Sequence, residues 1–84
     1  MPEEQPRGRE GTVIFINDAR FVAPSRTMTG REIKQLAAIP EGNRLFREEP
    51  GRHADTPIGD DEVVELRDGN KFYDLPPVVK GGRR

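Results

Sequence analysis

The stretch TMTGREIKQLAAIP, residues 27–40, carries the clearest helix signal in the chain. Thr29 and Glu32 have the T-x-x-E spacing of a capping box, in which each side chain bonds an otherwise unpaired amide near the helix start. Apolar residues then recur at positions 33, 36 and 37, and this stripe is one that a sheet face can cover. The residue before Pro40 avoids the helical region of backbone space. We therefore expect a helix that ends at Pro40.

Strands are predicted on both sides of this helix. The segment TVIFIND (12–18) is rich in β-branched and aromatic residues, and RFVAPS (20–25) follows it after the turn signal Asn17-Asp18. Pro24 cannot donate to a sheet ladder and ends the second strand. The two strands are therefore predicted to form a hairpin. After the helix, NRLFRE (43–48) predicts a short third strand.

The second half of the domain combines a long loop with a last pair of strands. Prolines and glycines within residues 49–60 predict a loop, with one helical turn near residues 56–58. In EVVELRDGNKFYDLPP (62–77), Asp68-Gly69 supports the positive φ of a tight turn, which predicts a hairpin there. The tandem prolines 76–77 close the sheet because they have no amide donors.

This order of elements predicts an α+β domain with a ubiquitin-like β-grasp architecture, a mixed sheet with one helix packed on one face. The first and last long strands are expected to be parallel neighbours in its centre. The domain itself is predicted to span residues 12–77. Residues 1–11 are expected to be a disordered lead-in, and residues 78–84 a flexible tail with two glycines and two arginines.

Composition excludes several classes of function. The 84 residues contain no cysteine, which excludes disulfides and thiolate metal sites. Nucleic-acid binding is disfavoured because the net charge is −1 and residues 48–68 carry eight acids against two arginines. That acidic stretch is either a solvated loop or a surface that faces a partner. No apolar run approaches the length of a membrane span, so we expect a cytoplasmic, monomeric protein.

Neither an active site nor a metal site is predicted. His53 is the single histidine and lies in a loop rich in proline and glycine, without a second imidazole or a cysteine beside it. The acids of GDDE (59–62) lack the alternating spacing of a calcium loop and predict a turn that leads into a strand. We therefore expect a protein that is not an enzyme and binds no cofactor.

A partner-binding surface is predicted on the sheet. Side chains alternate between the two faces of a strand, which places Ile14 and Ile16 on one face and Phe15 on the other. Leu45 and Phe46 likewise point to opposite faces, and both are candidate partner residues because one of them must face outward. Exposed apolar patches on a sheet mark interaction sites.

Two parts of the sequence resemble known families. The run VIFIND…VAPSRTMTGREIKQLAAIPEGNRLF is similar to the first half of ubiquitin in the order of its elements. This resemblance implies that Ile14 and Ile16 belong to the core and that Phe15 faces outward. Its T-M-T-G-R-E-I-K helix start resembles the bacterial ubiquitin-like proteins of the multiubiquitin family still more. The far end, LPPVVKGG, is similar to the tails of sulfur-carrier β-grasp proteins. In contrast to these relatives, the chain has one domain, and its glycines are followed by Arg83-Arg84.

The resemblance implies a ubiquitin-like modifier of a bacterial conjugation pathway. Gly82 would be the acyl donor and Gly81 would give access to it, while Val78, Val79 and Lys80 would form an extended arm held by partners. A peptidase of the JAB/JAMM type would remove Arg83-Arg84. An activating enzyme of the E1 type would use ATP to adenylate the carboxylate, and this chain itself would not bind ATP. A conjugating enzyme of the E2 type would then transfer the modifier to target proteins. Antiviral defence is one setting that the resemblance suggests.

Two alternatives remain open at this point. The first is a sulfur carrier that uses a thiocarboxylate at Gly82, and the second is an interaction module that is never conjugated. Replacement of Gly82 would inactivate either carrier and leave a binding module intact. If chains form through lysine, they are restricted to Lys34, Lys71 and Lys80, the three lysines of the sequence.

Overall fold

The computed structural model describes residues 11–77 as seven strands and one helix. In chain order the elements are β1 (Thr12–Ile16), β2 (Ala19–Ala23), β3 (Thr27–Thr29), α1 (Gly30–Leu36), β4 (Arg44–Arg47), β5 (Thr56–Ile58), β6 (Val63–Glu65) and β7 (Asn70–Leu75). The predicted lead-in, apart from Gly11, and the predicted tail 78–84 lie outside the described residues.

The main sheet has five strands in the order β2-β1-β7-β4-β5. β1 and β7 are parallel, whereas β1 with β2, β4 with β7 and β4 with β5 are antiparallel. The first and last long strands are therefore central neighbours, and the predicted α+β, ubiquitin-like β-grasp class is confirmed. β3 and β6 form a separate two-stranded antiparallel sheet.

The first hairpin forms as the sequence predicts. Asn17 and Asp18 have φ values of 52° and 70°, which are the two positive values of a type I′ turn. Asparagine and aspartate tolerate this region better than other residues with a Cβ atom. A two-residue turn of this type matches the twist of the flanking strands, so β1 and β2 pair directly from Ile16 and Ala19 onward.

The helix begins where the capping box predicts, but it ends earlier than predicted. Residues 27–29 form β3, and the capping box starts the helix: the Thr29 amide donates to Glu32 Oε1 at 2.8 Å and the Glu32 amide donates to Thr29 Oγ1 at 3.2 Å. The helix ends at Leu36, before Pro40. Ala38 has φ 57°, and the Ile39 and Ala38 amides donate to the Lys34 and Gln35 carbonyls. These bonds form a Schellman motif, which ends the helix earlier than the proline would.

Two further predictions in the second half are wrong. Residues 56–58 form β5 rather than a helical turn, because this segment completes the backbone ladder at the edge of β4. Residues 62–77 do not form a hairpin: β6 pairs with β3, and β7 crosses to the centre of the main sheet. The turn signal itself is confirmed, since Gly69 has φ 90° and its amide donates to the Val13 carbonyl at 2.8 Å.

The core lies between the main sheet and the helix. Its four largest fully buried side chains are Ile14, Ile16, Ile33 and Leu45. The other buried apolar residues are Ala23, Met28, Ile58, Val64, Leu66 and Phe72. Because one helix covers one sheet face, the described elements leave the opposite face of the sheet uncovered.

Candidate functional site

The sheet face opposite the helix carries two of the three predicted partner residues that the structure describes. Strand register defines this outer sheet face, since paired residues share a side of the sheet. It consists of Val13, Phe15, Arg20, Val22, Arg44, Phe46, Lys71, Tyr73 and Leu75. Val22 and Leu75 are 52% and 41% exposed, and the three aromatic residues are half-buried. Within residues 11–77, this face therefore combines apolar and aromatic groups with three cations.

An aromatic pair forms the centre of the outer sheet face. Phe46 and Tyr73 are cross-strand neighbours, and their rings stack with centroids 5.3 Å apart and an interplanar angle of 13°. The Arg44 guanidinium carbon lies 5.2 Å from the Phe46 ring centroid, within the range of a cation–π contact. The stack and the cation–π contact hold the two partly exposed rings in fixed positions. Because the rings are already ordered, binding of a partner costs less side-chain entropy.

The loop between β4 and β5 anchors the tyrosine of this pair. The Tyr73 hydroxyl donates to Asp55 Oδ2 at 2.6 Å, and the Glu49 amide donates to Asp55 Oδ1 at 3.0 Å. These bonds stabilise the ionised carboxylate, so the pKa of Asp55 lies below its ordinary value. The same bond to Asp55 raises the pKa of Tyr73, because the hydroxyl donates a hydrogen bond that the phenolate could not. Tyr73 is thus held protonated, with its ring on the outer sheet face.

A second pair of bonds closes the same loop. The Thr56 hydroxyl donates to Glu49 Oε2 at 2.6 Å, and Arg47 Nε donates to the same oxygen at 2.8 Å. The hydrogen bond from Thr56 and then the one from Arg47 lower the pKa of Glu49. The loop thereby fastens β5 to the end of β4, and the edge of the sheet next to Tyr73 becomes a defined surface.

Of the predicted partner residues on the strands, two lie on the outer sheet face and one does not. Phe15 and Phe46 are half-buried and point away from the helix. Leu45 is 1% exposed and belongs to the core, so its prediction as a partner residue is wrong. The physical reason is the alternation of the strand: Leu45 pairs with Ile58 on the helix side, which leaves Phe46 as the outward residue.

Sequence reasoning missed Arg44, Tyr73 and Leu75 as members of this surface. The signal that could have found them is the alternation along NKFYDL (70–75), where Phe72 is buried and its two neighbours face outward. The predicted hairpin at 62–77 obscured that signal, because it paired β7 with the strand just before it in sequence, which is β6. The observed partners of β7 are β1 and β4, which place its outward residues beside Phe15 and Phe46.

The chain leaves the sheet next to the outer sheet face. Leu75 is the last residue of β7 and pairs with Arg44, and Pro76 and Pro77 after it are exposed. The predicted tail residues Val78, Val79, Lys80, Gly81, Gly82, Arg83 and Arg84 lie outside the described residues. The point from which the tail departs and the aromatic pair are therefore on one continuous surface.

The acidic turn at 59–62 forms ion pairs with two cationic residues of helix α1. Lys34 is 5% exposed, and its Nζ donates to Asp60 Oδ1 at 2.8 Å and to the Glu41 carbonyl at 3.1 Å. Arg31 Nη1 donates to Asp61 Oδ1 at 2.9 Å. The bond from Lys34 lowers the pKa of Asp60. These acids are thus neutralised locally, and the predicted turn before a strand is confirmed by β6.

The burial of Lys34 also bears on acceptor lysines. Lys34 is enclosed by its contacts with Asp60 and Glu41, whereas Lys71 is exposed on the outer sheet face. Lys80 lies outside the described residues. Of the two lysines that the structure describes, Lys71 is therefore the one whose amine reaches solvent.

The described part of the chain offers little that suits metal chemistry. His53 is exposed, and residues 11–77 bring together no group of three or more histidine and acidic side chains that could hold a metal ion. The helix in this range is too short and too polar to cross a membrane. The feature that stands out is the outer sheet face with the exit of the chain beside it.

Comparison with known proteins gives one match. No curated protein and no solved structure matches the chain significantly. The sequence model of the multiubiquitin family matches residues 12–73, which extend from the first residue of β1 to within β7 and make up more than half of the chain. A mixed five-stranded sheet with one helix agrees with that match. The chain therefore belongs to the multiubiquitin family, a family of ubiquitin-like domains.

Proposed function

We propose that the protein is the precursor of a ubiquitin-like modifier in a bacterial conjugation pathway. A peptidase cleaves after Gly82, and the carboxylate that it exposes attacks ATP on an activating enzyme, with release of pyrophosphate. A cysteine thiolate then displaces AMP to give a thioester. After transfer to a conjugating enzyme, an amine of a target protein displaces the thiol and forms an amide bond.

The observation that carries this proposal is the way in which the chain leaves the fold. β7 is the central strand, paired with β1 over residues 70–72 and with β4 over residues 72–75, so the strand that carries the tail is held along its length. Pro76 and Pro77 follow it in exposed positions, and their rings favour extended backbone. Residues 78–82 follow Pro77, and these five residues can span up to about 17 Å. That length suits delivery of a carboxylate into a deep catalytic channel.

Glycine at the end of the tail has a chemical reason. A carboxylate that must reach both a nucleotide and a thiolate passes through a narrow channel, in which a Cβ atom would meet the walls. Gly81 and Gly82 present no side chain there, and the acyl carbon stays open to attack. Arg83 and Arg84 follow the glycines in the sequence, so the Gly82 carboxylate is held in a peptide bond until cleavage after Gly82. A metal-dependent peptidase of the JAB/JAMM type suits this step.

The outer sheet face supports the proposal as the site that the enzymes bind. It adjoins the exit of the chain, and the Phe46–Tyr73 stack gives it rigid apolar surface. Arg44 and Lys71 surround this stack with positive charge. An enzyme that binds the stack thereby positions the tail, because Leu75 and the stack belong to the same sheet.

Paired glycine variants test the proposal. Gly82→Ala should abolish conjugates in the native host, detected through an epitope at the N-terminus of the full chain. Gly42→Ala is the matched control, because an added Cβ at Gly42 meets no atom within 4 Å. Conjugates that persist in Gly82→Ala would contradict the proposal.

The product of the reaction separates the modifier from the sulfur carrier that the tail also resembles. A modifier raises the mass of target proteins by about one domain. In a sulfur carrier the free protein exchanges one oxygen for sulfur, and Gly82→Ala abolishes that exchange. If Gly82→Ala changes neither product and leaves partner binding intact, the protein is an interaction module that is not conjugated.

A further inference from the structure

The two edges of the main sheet differ in how they are protected. β5, at one edge, consists of Thr56, Pro57 and Ile58, and the proline in its centre removes an amide donor. β2, at the other edge, spans Ala19–Ala23 and contains neither a proline nor a lysine. Proline, charge and short length are the usual means by which proteins prevent pairing at a sheet edge. β2 carries one charged residue, Arg20, and no proline within the strand, so it has less of this protection than β5.

The hydrogen bonds of β1 determine which backbone groups of β2 point outward. The Val13 carbonyl accepts from Gly69 at 2.8 Å and the Asn17 amide donates to the Phe72 carbonyl at 2.9 Å, so this set of β1 residues faces β7. The alternate residues of β1, Thr12, Ile14 and Ile16, therefore face β2. Their register partners in β2 are Ala23, Phe21 and Ala19.

The remaining residues of β2 present their backbone to the open edge. Arg20 and Val22 alternate with the residues that bond to β1, so their amides and carbonyls point away from the sheet. Within residues 11–77 these groups have no hydrogen-bond partner. The Val22 side chain is also 52% exposed. This edge thus offers two donors, two acceptors and an apolar side chain.

We propose that β2 pairs with β2 of a second copy of this chain. The two strands run antiparallel about a two-fold axis at Phe21, with Arg20 of each copy opposite Val22 of the other. Both outward residues of each strand then exchange hydrogen bonds, and the two five-stranded sheets become one of ten strands. The stem of Arg20 covers the exposed Val22 side chain across the junction.

Charge at the ends of β2 favours a second copy as the occupant of this edge. Asp18 lies in the turn before β2 and Arg26 lies beyond its other end; both are exposed and neither has an ion-pair partner among the described residues. Antiparallel self-pairing brings the Asp18 end of one copy to the Arg26 end of the other. Isologous pairing of this kind closes on itself and forms no filament.

The tail of the chain is a poorer occupant of the same edge. Lys80, Arg83 and Arg84 make it strongly basic, and Arg20 and Arg26 would repel it. A second copy is free of this conflict. The β2 junction also extends the sheet sideways, so the Phe46–Tyr73 stack and the exit of the chain remain accessible in the dimer. The proposal therefore does not depend on the conjugation pathway, although it departs from the expected monomer.

The small edge implies a weak dimer. Four backbone hydrogen bonds and one apolar contact per strand form an interface at or below the small end of specific complexes. We expect dissociation constants on the order of 0.1–1 mM. Such a dimer forms where the local concentration is high and separates on dilution.

The test follows the full chain by sedimentation and by two-dimensional NMR as its concentration increases. The expected result is a rise in average mass from one domain towards two. The amide signals of Arg20 and Val22 should shift with concentration more than those of Phe15, Phe46 and Tyr73. A single-domain mass up to about 2 mM, or shifts centred on Phe15, Phe46 and Tyr73, would overturn the proposal.

Two variants make the test specific. Val22→Pro removes an outward amide that β1 does not use, and it should abolish the rise in mass. Arg26→Glu places like charges together at both ends of the junction and should weaken the dimer at least tenfold. Arg52→Glu, at an exposed loop residue, changes the net charge equally and should leave the dimer unchanged. Equal effects of Arg26→Glu and Arg52→Glu would refute the β2 register.

Discussion

Replacement of Gly30 by alanine tests the contact on which the helix start depends. Gly30 is buried at the first position of α1, and an added Cβ would lie 2.2 Å from the Gly59 carbonyl oxygen. The obstacle is backbone, which cannot rotate aside as a flexible side chain could. The 59–62 turn must therefore move, and the bond from the Gly30 amide to the Glu62 carbonyl, 3.1 Å long, is lost or weakened.

The size of the effect follows from two contributions. Overpacking of this kind destabilises by about 1–3 kcal/mol. Loss of one backbone hydrogen bond adds about 0.5–1.5 kcal/mol. We expect the free energy of unfolding to fall by about 2–4 kcal/mol, a large part of the roughly 3–10 kcal/mol of a domain of this size. The corresponding decrease in Tm is about 10–25 °C.

Urea denaturation followed by far-UV circular dichroism measures this change. Gly42→Ala is the matched control, because its Cβ would be in open space and its φ is not positive. Its free energy of unfolding should stay unchanged or rise by up to about 1 kcal/mol. A Gly30→Ala protein within about 0.5 kcal/mol of the wild type would show that the helix start does not pack on the 59–62 turn.

Three further predictions concern the same domain. Thr29→Ala removes one half of the capping box and should lower the free energy of unfolding by about 1 kcal/mol in urea denaturation, whereas Thr27→Ala should have little effect. Ala38→Gly relieves a positive φ of 57° at the helix end and should raise the free energy of unfolding by about 0.5–1 kcal/mol; a decrease would contradict the Schellman motif. The folded-state pKa of Asp60 lies below its ordinary value of 3.8, so the unfolded chain binds the proton first and stability should fall as the pH drops below about 4. Asp60→Asn should make that acid dependence shallower in denaturation at pH 2–5, and an unchanged slope would refute the role of the Lys34 bond.

Local signals predicted the parts of the fold that depend on neighbours in sequence. The T-x-x-E spacing of Thr29 and Glu32 specifies a capping box whatever surrounds it, and Asn17-Asp18 specifies a two-residue turn. Both are present. The failures concern long-range pairing: β6 resembles the first strand of a hairpin, yet it bonds to β3, more than thirty residues earlier in the chain. Tertiary context selects such partners, and alternation within one strand carries no information about them.

The end of the helix shows a different limit. Pro40 correctly excludes helix, but it does not determine where helix stops. Ala38 adopts a left-handed backbone conformation, which is unfavourable for alanine. Packing of Ile39 and Ala37 against the core compensates for this energetic cost. A sequence-based argument has no access to this compensation, because it depends on side chains that meet only in the folded domain.

The sequence predicted a partner-binding surface on one face of the sheet, but it identified only some of the residues that form this surface. Alternation placed Ile14 and Phe15 on opposite faces, and the resemblance to ubiquitin assigned Ile14 to the core, as the structure has it. It could not decide between Leu45 and Phe46, because two adjacent apolar residues satisfy either orientation. The position of β7 beside β4 decides the matter and also brings Tyr73 into the surface.

The most direct test of the proposed function is intact mass spectrometry of the protein recovered from its native host. The precursor model predicts a free protein that lacks Arg83-Arg84 and ends at Gly82. The variant Gly82→Ala supplies the control, since a peptidase that recognises the two glycines should leave the arginines in place. A protein that keeps both arginines under conditions where the pathway operates would contradict the account.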